Sequence, residues 1–329
     1  MHEIKKILVI GGAGYVGTKL VSALLKKKYY VTVYDLLIYG NNLSKDNIYL
    51  KLIKGDVRDQ KKLEESLKGQ DAIIHLACIS NDPSFELNPK LGKEINFDCF
   101  EPLVKASKNE GIKVFIYASS SSVYGVKYTP EVTEKATLEP LTDYSKYKAL
   151  CEEILFSNTN NNFIGTVLRP ATVCGYSPRQ RLDLVVNILT NLAYHKSIIK
   201  IFGGSQLRPN IHIDDMVGSY LKVIDSETNK IKDQVFNVGF ENHSVEKIAL
   251  MVKKNINNPV NLEYTKSDDN RSYHINSNKI ENVLGFKPIK NIEMAIQDLL
   301  KAFENKIFTN TLNNEEYFNI KKMQKIGLK

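Results

Sequence analysis

The amino-acid sequence lacks the features that mark several large classes of protein. It has no apolar run of the roughly 18 residues that a membrane-spanning helix needs, and its polar start leads straight into an apolar strand, which leaves no room for a signal peptide. Its net charge of +8 is spread over the predicted helices instead of forming a basic stripe with interleaved aromatic side chains. We therefore expect neither a membrane protein nor a nucleic-acid-binding protein, and the charge favours small anionic molecules as ligands.

Cysteine is scarce as well. The four cysteines, Cys78, Cys99, Cys151 and Cys174, are widely separated and follow no metal-binding spacing. Buried, reduced thiols are typical of proteins from a reducing compartment, so we expect a cytoplasmic protein without a metal site. The length of 329 residues and the apolar content of 43% suit a soluble chain with one large α/β domain and a smaller appended one.

The chain does have, in its first 35 residues, a strand, a glycine-rich turn, a helix and a second strand. The strands are predicted at residues 7–10 and 31–34, and the helix follows the turn. Glycines in such a turn let the backbone bend tightly and approach a pyrophosphate, while the helix N-terminus offers free N–H groups to phosphates. The unit therefore predicts a dinucleotide site. Its turn reads Gly11, Gly12, Ala13, Gly14, Tyr15, Val16 and Gly17, and the spacings 12–14–17 and 11–14–17 both fit.

Asp35 ends the second predicted strand, 21 positions after Gly14. A carboxylate at that place can accept both ribose hydroxyls of NAD. It would repel the additional 2′-phosphate of NADP by roughly 4 kcal/mol per unit charge at about 4 Å. Residues 36–40 contain no arginine to offset this repulsion. NAD is therefore the predicted cofactor.

Strands and helices continue to alternate after residue 35, which is typical of an α/β fold with a doubly wound parallel sheet of the Rossmann type. We expect residues 1–173 to form the NAD-binding domain, with returning segments at about 210–255, and residues 174–329 to form mostly a smaller substrate-binding lobe and a C-terminal tail. The further strands are predicted at 48–53, 71–77, 113–118, 163–168 and 235–238, and the further helices include 61–67, 90–109 and 182–194.

Hydroxyl and amine side chains gather after the fifth predicted strand. Four consecutive serines, residues 119–122, stand at a strand end where open α/β sheets bind ligands. Tyr144 and Lys148 are four positions apart on a predicted helix, so they share a face. The lysine ammonium would favour the phenolate and lower the pKa of Tyr144. Tyr144 could then take a hydroxyl proton as hydride leaves the same carbon for NAD.

Taken together, these motifs resemble the extended short-chain dehydrogenase/reductases, and within them the nucleotide-sugar epimerase/dehydratase group. The resemblance covers about residues 4–304. The motifs that carry it are, in chain order, Gly11 to Gly17, Asp35, Gly55-Asp56-Val57, His75-Leu76-Ala77, Ser120 with Val123-Tyr124-Gly125, Tyr144 with Lys148, Arg169-Pro170-Ala171-Thr172, Arg208 to Asp215, and Leu284 to Pro288.

The resemblance assigns roles to individual residues. It implies a catalytic trio of Ser120, Tyr144 and Lys148. For Arg208 and Arg271 a surface ion pair is the alternative. An aspartate and an apolar residue after the third strand could bracket an adenine ring, or the aspartate could instead cap a helix. His75 is interpreted as a core histidine. NAD would be bound by Gly11, Gly14, Tyr15, Val16, Gly17, Asp35, Asp56, Val57, Ala77, Ser119, Tyr144 and Lys148, and a nucleotide-diphosphate sugar by Ser120, Thr172, Arg181, Arg208 and Arg271.

The expected activity is NAD-dependent oxidation of a nucleotide-activated sugar at C4, most simply as a 4-epimerase. A net dehydrogenase or ketoreductase at the same carbon is the alternative enzyme, and a non-catalytic dinucleotide sensor is the alternative of another class. Family 4,6-dehydratases carry Asp and Glu directly after the catalytic hydroxyl residue, where this chain has Ser121 and Ser122. Serines do no acid–base work near neutral pH, so dehydration is not expected.

The resemblance also implies a homodimer, in which helices near 90–109 and 144–157 pair with their copies. The end of the chain, from Asn313, shows no family pattern, and either lies over the surface or stays loose. The apolar candidates for the dimer contact are Leu91, Ile95, Leu103, Leu150, Ile154 and Leu155.

Overall fold

A computed structural model describes residues 4–44, 46–129, 131–266 and 274–328. Its strands are β1 (Lys6–Ile10), β2 (Tyr30–Asp35), β3 (Leu50–Lys54), β4 (Ala72–His75), β5 (Val114–Ala118), β6 (Ile164–Pro170), β7 (Thr172–Cys174), β8 (Ile198–Phe202), β9 (Leu207–His212), β10 (Gln234–Val238), β11 (Glu241–Ser244) and β12 (Asn261–Thr265). Seven strands form a parallel sheet in the order β3-β2-β1-β4-β5-β6-β10. The strand order reverses between β1 and β4, which is where open α/β sheets place their ligands.

Helices cover both faces of this sheet, as the predicted doubly wound α/β fold requires. They are α1 (Tyr15–Lys26), α2 (Gln60–Leu67), α3 (Asp82–Glu86), α4 (Pro89–Lys93), α5 (Phe100–Asn109), α6 (Asp143–Asn158), α7 (Val185–Lys196), α8 (Ile213–Ile224), α9 (Thr228–Ile231), α10 (Val245–Asn255), α11 (Asn278–Leu284), α12 (Ile292–Glu304) and α13 (Asn319–Ile326). Alternate residues of β1 enter different apolar clusters, because successive side chains of a strand point to opposite faces. Ile7 and Val9 pack with α1 and α8, and Leu8 and Ile10 pack with α2 and α5.

A second, smaller group of strands lies beyond β6. The strands β7, β9 and β11 form one sheet, β8 and β12 form another, and α7, α10 and α12 pack together around a separate apolar cluster. The chain nevertheless returns to the larger unit, since β10 pairs with β6 and α8 packs on α1. The division near residue 173 stays a proposal. Of the expected returning segment at about 210–255, α8 and β10 join the larger unit, whereas β11 and α10 belong to the smaller group.

The helix predicted over residues 90–109 is interrupted in the structure. A π-helical turn, Glu94–Asp98, separates α4 from α5. Within it the Asn96 side chain accepts a hydrogen bond from the backbone N–H of Ile79 (2.8 Å) and donates to the Ile79 carbonyl oxygen (3.0 Å). This tertiary contact, which no local pattern encodes, ties the turn to the loop after β4. Such π-turns are frequent beside functional sites.

The end of the chain is packed rather than loose. Phe308 and Thr311 are buried, a short 3₁₀ turn spans Glu315–Tyr317, and α13 follows. Of the four cysteines, all free, Cys78 is half-buried and the other three are buried. No helix in the described ranges is both long and apolar enough to cross a membrane.

Candidate active site

A cavity of about 360 Å³ opens at the carboxyl edge of the central sheet. Its floor is formed by the turn after β1, the loops after β2 to β5 and the first turn of α6. Its outer wall is formed by the loop at residues 179–184 and by the chain end. It brings together most of the residues predicted from sequence, namely Gly11, Gly14, Tyr15, Val16, Gly17, Asp35, Asp56, Val57, Ala77, Ser119, Ser120, Tyr144, Lys148, Thr172 and Arg181.

The glycine turn leaves no space for side chains at two positions. Gly11 has a φ of +84°, and a Cβ there would lie 2.5 Å from the backbone nitrogen of Ala77. A Cβ on Gly17 would lie 2.5 Å from the carbonyl oxygen of Gly11. The N-cap of α1 is Gly14, which has no side chain to occupy the free N–H groups of the first turn. These groups remain available to an anion.

Asp35 stands at the end of β2 with both carboxylate oxygens in use. They accept hydrogen bonds from the N–H groups of Ala13 (2.9 Å) and Leu37 (2.8 Å). Burial raises the pKa of Asp35, and the two backbone hydrogen bonds and the charge of Arg179 oppose that rise. The remaining oxygen lone pairs can accept ribose hydroxyls.

Arg179 is a site residue that the sequence prediction missed. Its guanidinium lies 3.6 Å from the centre of the Tyr39 ring, and burial lowers its pKa to about 10, so it stays charged at neutral pH. Its Nη2 donates to Asn319 (2.7 Å), while its Nε has no partner among the described residues. It lies two positions before the predicted Arg181 in the same basic loop, and this position was the sequence feature that could have identified it as a site residue.

Arg181 is buried in the same wall. Its Nε donates to Asp183 (2.8 Å) and its Nη1 to the hydroxyl of Ser80 (3.0 Å). Its Nη2 is a second buried donor without a partner among the described residues. Two arginines with unused N–H groups therefore line a cavity that also contains the N-terminus of α1. This concentration of donors and positive charge suits phosphate groups.

The predicted catalytic residues lie together on the floor. Tyr144 is in the first turn of α6, which the Thr142 hydroxyl caps by accepting from the N–H of Ser145 (3.3 Å). The buried Nζ of Lys148 donates to the carbonyl oxygen of Ala118 (2.6 Å) and lies 5.9 Å from the centre of the Tyr144 ring. The ammonium is thus held between the strand end and the tyrosine, where it can stabilise a phenolate.

The serine loop carries the third member of the trio. The Ser120 hydroxyl accepts from the N–H of Ser122 (3.1 Å) and lies 2.8 Å from the Ser122 hydroxyl. Ser121 is buried, and Ser122 lines the cavity. The positions that follow Ser120 therefore bring hydroxyls, and no carboxyl group, to the site.

A buried polar network fixes this floor from behind. The Ser119 hydroxyl donates to Glu152, whose carboxylate accepts from Arg169 Nε (3.0 Å) and Nη2 (2.5 Å). Arg169 Nη1 donates to the hydroxyl of Tyr124 (2.8 Å), which donates to Asn237 (2.7 Å). The network joins the serine loop to α6, β6 and β10, so the hydroxyls and the catalytic helix keep a fixed relation.

Other predicted residues lie elsewhere or play other parts. Arg208, on β9, does not line the cavity, and Arg271 falls outside the described residues. Asp56 lines the cavity while its carboxylate accepts from Arg58 (2.8 Å), and the aspartate that caps α2 is Asp59. His75 is a buried core histidine, as interpreted, among the rings of Phe100, Phe115 and Tyr117.

Comparison with known proteins extends these likenesses over nearly the whole chain. The NAD-dependent epimerase/dehydratase family matches residues 7–239. A UDP-glucose 4-epimerase of Lactobacillus helveticus is 26% identical over 305 residues, which cover 86% of this chain and 92% of that protein. Among solved structures, the UDP-glucuronic acid 4-epimerase of Bacillus cereus in complex with UDP-glucuronic acid and NAD is 25% identical, with a TM-score of 0.80, and the match covers 91% of this chain and 99% of that one. The UDP-N-acetylglucosamine 4-epimerase of Methanobrevibacter ruminantium M1 in complex with UDP-N-acetylmuramic acid is also 25% identical, with a TM-score of 0.84 and coverages of 92% and 99%.

Proposed function

Because the chain belongs to the NAD-dependent epimerase/dehydratase family, we propose that it binds NAD in this cavity, oxidises the C4 hydroxyl of a nucleotide-activated sugar and acts as a 4-epimerase. One observation carries the proposal. The glycine turn and Asp35, which suit NAD, share a single cavity with Ser120, Tyr144 and Lys148, which suit hydride transfer from a secondary alcohol. A sensor that only bound the dinucleotide would have no use for this trio.

The residues present fit the cofactor. The N-terminus of α1 and the close-packed Gly11 to Gly17 turn suit the pyrophosphate, and Asp35 suits the adenosine ribose. Asp56 and Val57 line the cavity just after β3, the strand beside β2 and Asp35, so they would lie beside the adenine. Ala77, which lies against Gly11, and Ser119, which follows the Ala118 carbonyl bound by Lys148, line the same cavity, and the nicotinamide would lie toward Ser119.

The chemistry follows from the placement of the trio. When bound, NAD would supply the hydride acceptor, and then the hydride donor, for C4 of the sugar. The Tyr144 phenolate takes the proton of the C4 hydroxyl as the hydride leaves, the Ser120 hydroxyl holds the same oxygen, and the Lys148 ammonium stabilises the phenolate. If the 4-keto sugar rotates in the site so that its opposite face is reduced, Tyr144 would return the proton to the C4 oxygen, and the configuration at C4 would be inverted.

The sugar nucleotide would lie between this floor and the outer wall. We propose that Ser120 and Thr172 contact the sugar and that Arg181 contacts the diphosphate, since all three line the cavity. Arg208 and Arg271 remain proposed contacts for the diphosphate from the smaller lobe. A planar guanidinium, which donates two parallel hydrogen bonds, suits that task.

The direct test is to screen sugar nucleotides, without added cofactor, by chromatography and mass spectrometry. UDP-, dTDP- and GDP-linked hexoses are the probes. An isomer of unchanged mass supports the 4-epimerase. A product lighter by one water would mean dehydration and contradict the argument from Ser121 and Ser122. Turnover only with stoichiometric added NAD would favour the net dehydrogenase, and NAD binding without any turnover would favour the non-catalytic alternative.

We also propose a cytoplasmic homodimer. The free thiols suit a reducing compartment. The helices α5 and α6 pack on each other, and on α6 Leu150 and Ile154 are only half-buried, so they can meet a second copy. The other candidates, Leu91, Ile95, Leu103 and Leu155, are buried within the protomer. A monomer in light scattering at micromolar concentration would contradict the dimer.

A further inference from the structure

The C-terminal segment, residues 313–328, forms part of the cavity wall although it lies beyond every motif that indicated the function. Asn319, Met323 and Leu328 from this segment line the cavity together with the glycine turn, Tyr144 and Lys148. The family match ends at residue 239. The segment therefore adds a part of the cavity wall that the shared motifs do not supply.

Asn319 connects three separate parts of the wall. Its backbone N–H donates to the Asp183 carboxylate (2.9 Å), and its side-chain oxygen accepts from Arg179 Nη2 (2.7 Å). Its side-chain nitrogen donates to the Ser80 hydroxyl (3.1 Å), which also accepts from Arg181. Asn319 is only 4% exposed. One buried side chain thus sets the position of both cavity arginines and of the loop after β4.

Met323 lines the cavity where α13 packs on α3. It lies one turn after Asn319 on α13 and is buried in the apolar cluster that contains Ile79 and Phe85, against which Tyr144 also packs. Leu328 packs at the edge of the same cluster. The segment therefore runs along the cavity wall from Arg179, beside Tyr39, to α3.

The segment is anchored at several points and is not a loosely resting strap. The backbone N–H of Leu182 donates to the carbonyl oxygen of Tyr317 (2.9 Å), and Phe308 packs against Tyr176 and Tyr317. Within the segment, Lys322 pairs with Glu316 and Lys325 with Glu315. A wall held in this manner does not have to be ordered by the ligand, so less conformational entropy is lost on binding.

We propose that the C-terminal segment is the outer wall of the dinucleotide site and that it slows the release of NAD. Asn319 acts as a positioning residue, which holds Arg179 and Arg181 against the cofactor, and Met323 closes the wall where α13 packs on α3. The proposal rests on the proposed function for the identity of the cofactor alone. A slowly released cofactor is what a reaction that regenerates NAD in every cycle requires.

The test measures the rate at which bound NAD leaves the purified protein, a quantity independent of turnover. Asn319→Ala is compared with Gln324→Ala, an exposed position on the same helix. We expect release about tenfold faster for Asn319→Ala, since hydrogen bonds that orient a charged group are lost. Gln324→Ala should match the unchanged protein. Thermal unfolding of the NAD-free proteins checks that both variants are folded.

A double-mutant cycle separates positioning from a general loss of structure. If Asn319 acts through Arg179, then Asn319→Ala should add little to NAD release once Arg179→Met is present. Fully additive effects would overturn the positioning role. A rate within twofold of the unchanged protein for folded Asn319→Ala and Met323→Ala would overturn the wall itself.

Ending the chain after Asn313 gives the largest expected acceleration of NAD release, and the smaller changes above keep the proposal testable if this variant does not fold.

The proposed function and the proposed role of the C-terminal segment can fail separately. Faster NAD release in Asn319→Ala, with no turnover of any sugar nucleotide by the unchanged protein, would support the wall and reject the epimerase. Normal epimerisation with unchanged NAD release would do the reverse.

Discussion

Two buried arginines show how the floor and the outer wall of the cavity differ. Arg169, below the floor, binds both oxygens of Glu152 and the hydroxyl of Tyr124, and its pKa is raised in spite of burial because of the carboxylate beside it. Arg179, in the wall, has no carboxylate within 4 Å among the described residues, and burial lowers its pKa. A buried cation without a counter-ion is costly unless an anion arrives. The floor is thus complete by itself, whereas the wall is prepared for a ligand.

The largest expected effect belongs to the floor. Tyr144→Phe should lower turnover about 10³-fold, because the phenol hydroxyl transfers the proton and the ring contributes only packing. NAD should stay bound, since the glycine turn and Asp35 are unchanged. Turnover with saturating sugar nucleotide and the NAD content of the purified protein are the two measurements. A Phe variant that keeps most of its activity would show that Tyr144 is not the base.

The next effect tests whether the floor depends on its paired charge. Glu152→Gln leaves the Arg169 cation buried without its counter-ion, so we expect a loss of about 3 kcal/mol in the free energy of unfolding. Urea unfolding at pH 7 measures it. The matched control is Glu101→Gln, which breaks an exposed pair with Lys105 and should change stability very little. Equal losses in the two variants would contradict the role assigned to burial.

The floor is the region that the sequence predicts well. Its strands appear as unbroken apolar runs, and the glycine turn is a local signal, so β1, β2 and β5 begin and end within a residue of the predicted ranges. The carboxyl ends of parallel strands meet at one edge, so the sheet order brings Asp35 and Ser120 together, and the first turn of α6 adds Tyr144.

The wall is poorly predicted because distant partners define it. Residues 36–40 contain no arginine, and the one whose charge acts on Asp35 is Arg179, far along the chain. The 136 positions between Asn319 and Asp183 carry no pattern that joins them. The π-turn at Glu94–Asp98 is of the same kind, since a contact with the loop after β4 decides its conformation. Such features follow from tertiary contacts and not from local sequence.

A smaller effect concerns His75, a core residue of β4 behind the floor, which stays neutral in the folded protein. Burial, with the charge of Lys148 adding to it, lowers the pKa of His75 to about 3, while an unfolded histidine titrates near 6.5. Below about pH 6.5 the unfolded chain binds a proton at His75, whereas the folded chain keeps His75 neutral. The contribution of His75 to the free energy of unfolding is therefore fully present above about pH 6.5 and is lost as the pH drops toward 3.

At pH 5 the loss from His75 amounts to about 2 kcal/mol, from a difference of about 1.5 pH units. His75→Phe keeps an aromatic ring among Phe100, Phe115 and Tyr117 but cannot titrate. Between pH 7 and pH 5 we therefore expect its free energy of unfolding to fall by about 2 kcal/mol less than that of the unchanged protein. Urea unfolding at both pH values measures the two losses. The same loss in both proteins would mean that His75 is protonated in the folded state.

The smallest expected effect joins the two regions, because Asp35 on the floor and Arg179 in the wall act in opposite directions on a 2′-phosphate. The charge of Arg179 already acts on the Asp35 carboxylate, although the two do not form an ion pair. Asp35→Asn removes the repulsion and leaves the guanidinium to attract the phosphate. Water and salt in the open cavity screen much of the roughly 4 kcal/mol repulsion, so we expect the affinity for NADP relative to NAD to rise about tenfold, or about 1.4 kcal/mol.

The control is the same change in an Arg179→Met background. There the repulsion is removed but no attraction remains, so the relative affinity for NADP should rise by much less than in Asp35→Asn alone. Titration of both dinucleotides against each of the four proteins in the cycle, with intrinsic tyrosine fluorescence or calorimetry as the signal, gives the coupling between the two positions. If Asp35→Asn raises the relative affinity for NADP equally with and without Arg179, the charge of Arg179 does not act on the 2′-phosphate. The wall would then have no part in the choice between NAD and NADP. A gain that depends on Arg179 would mean that Asp35 selects NAD against a cationic wall able to accept NADP.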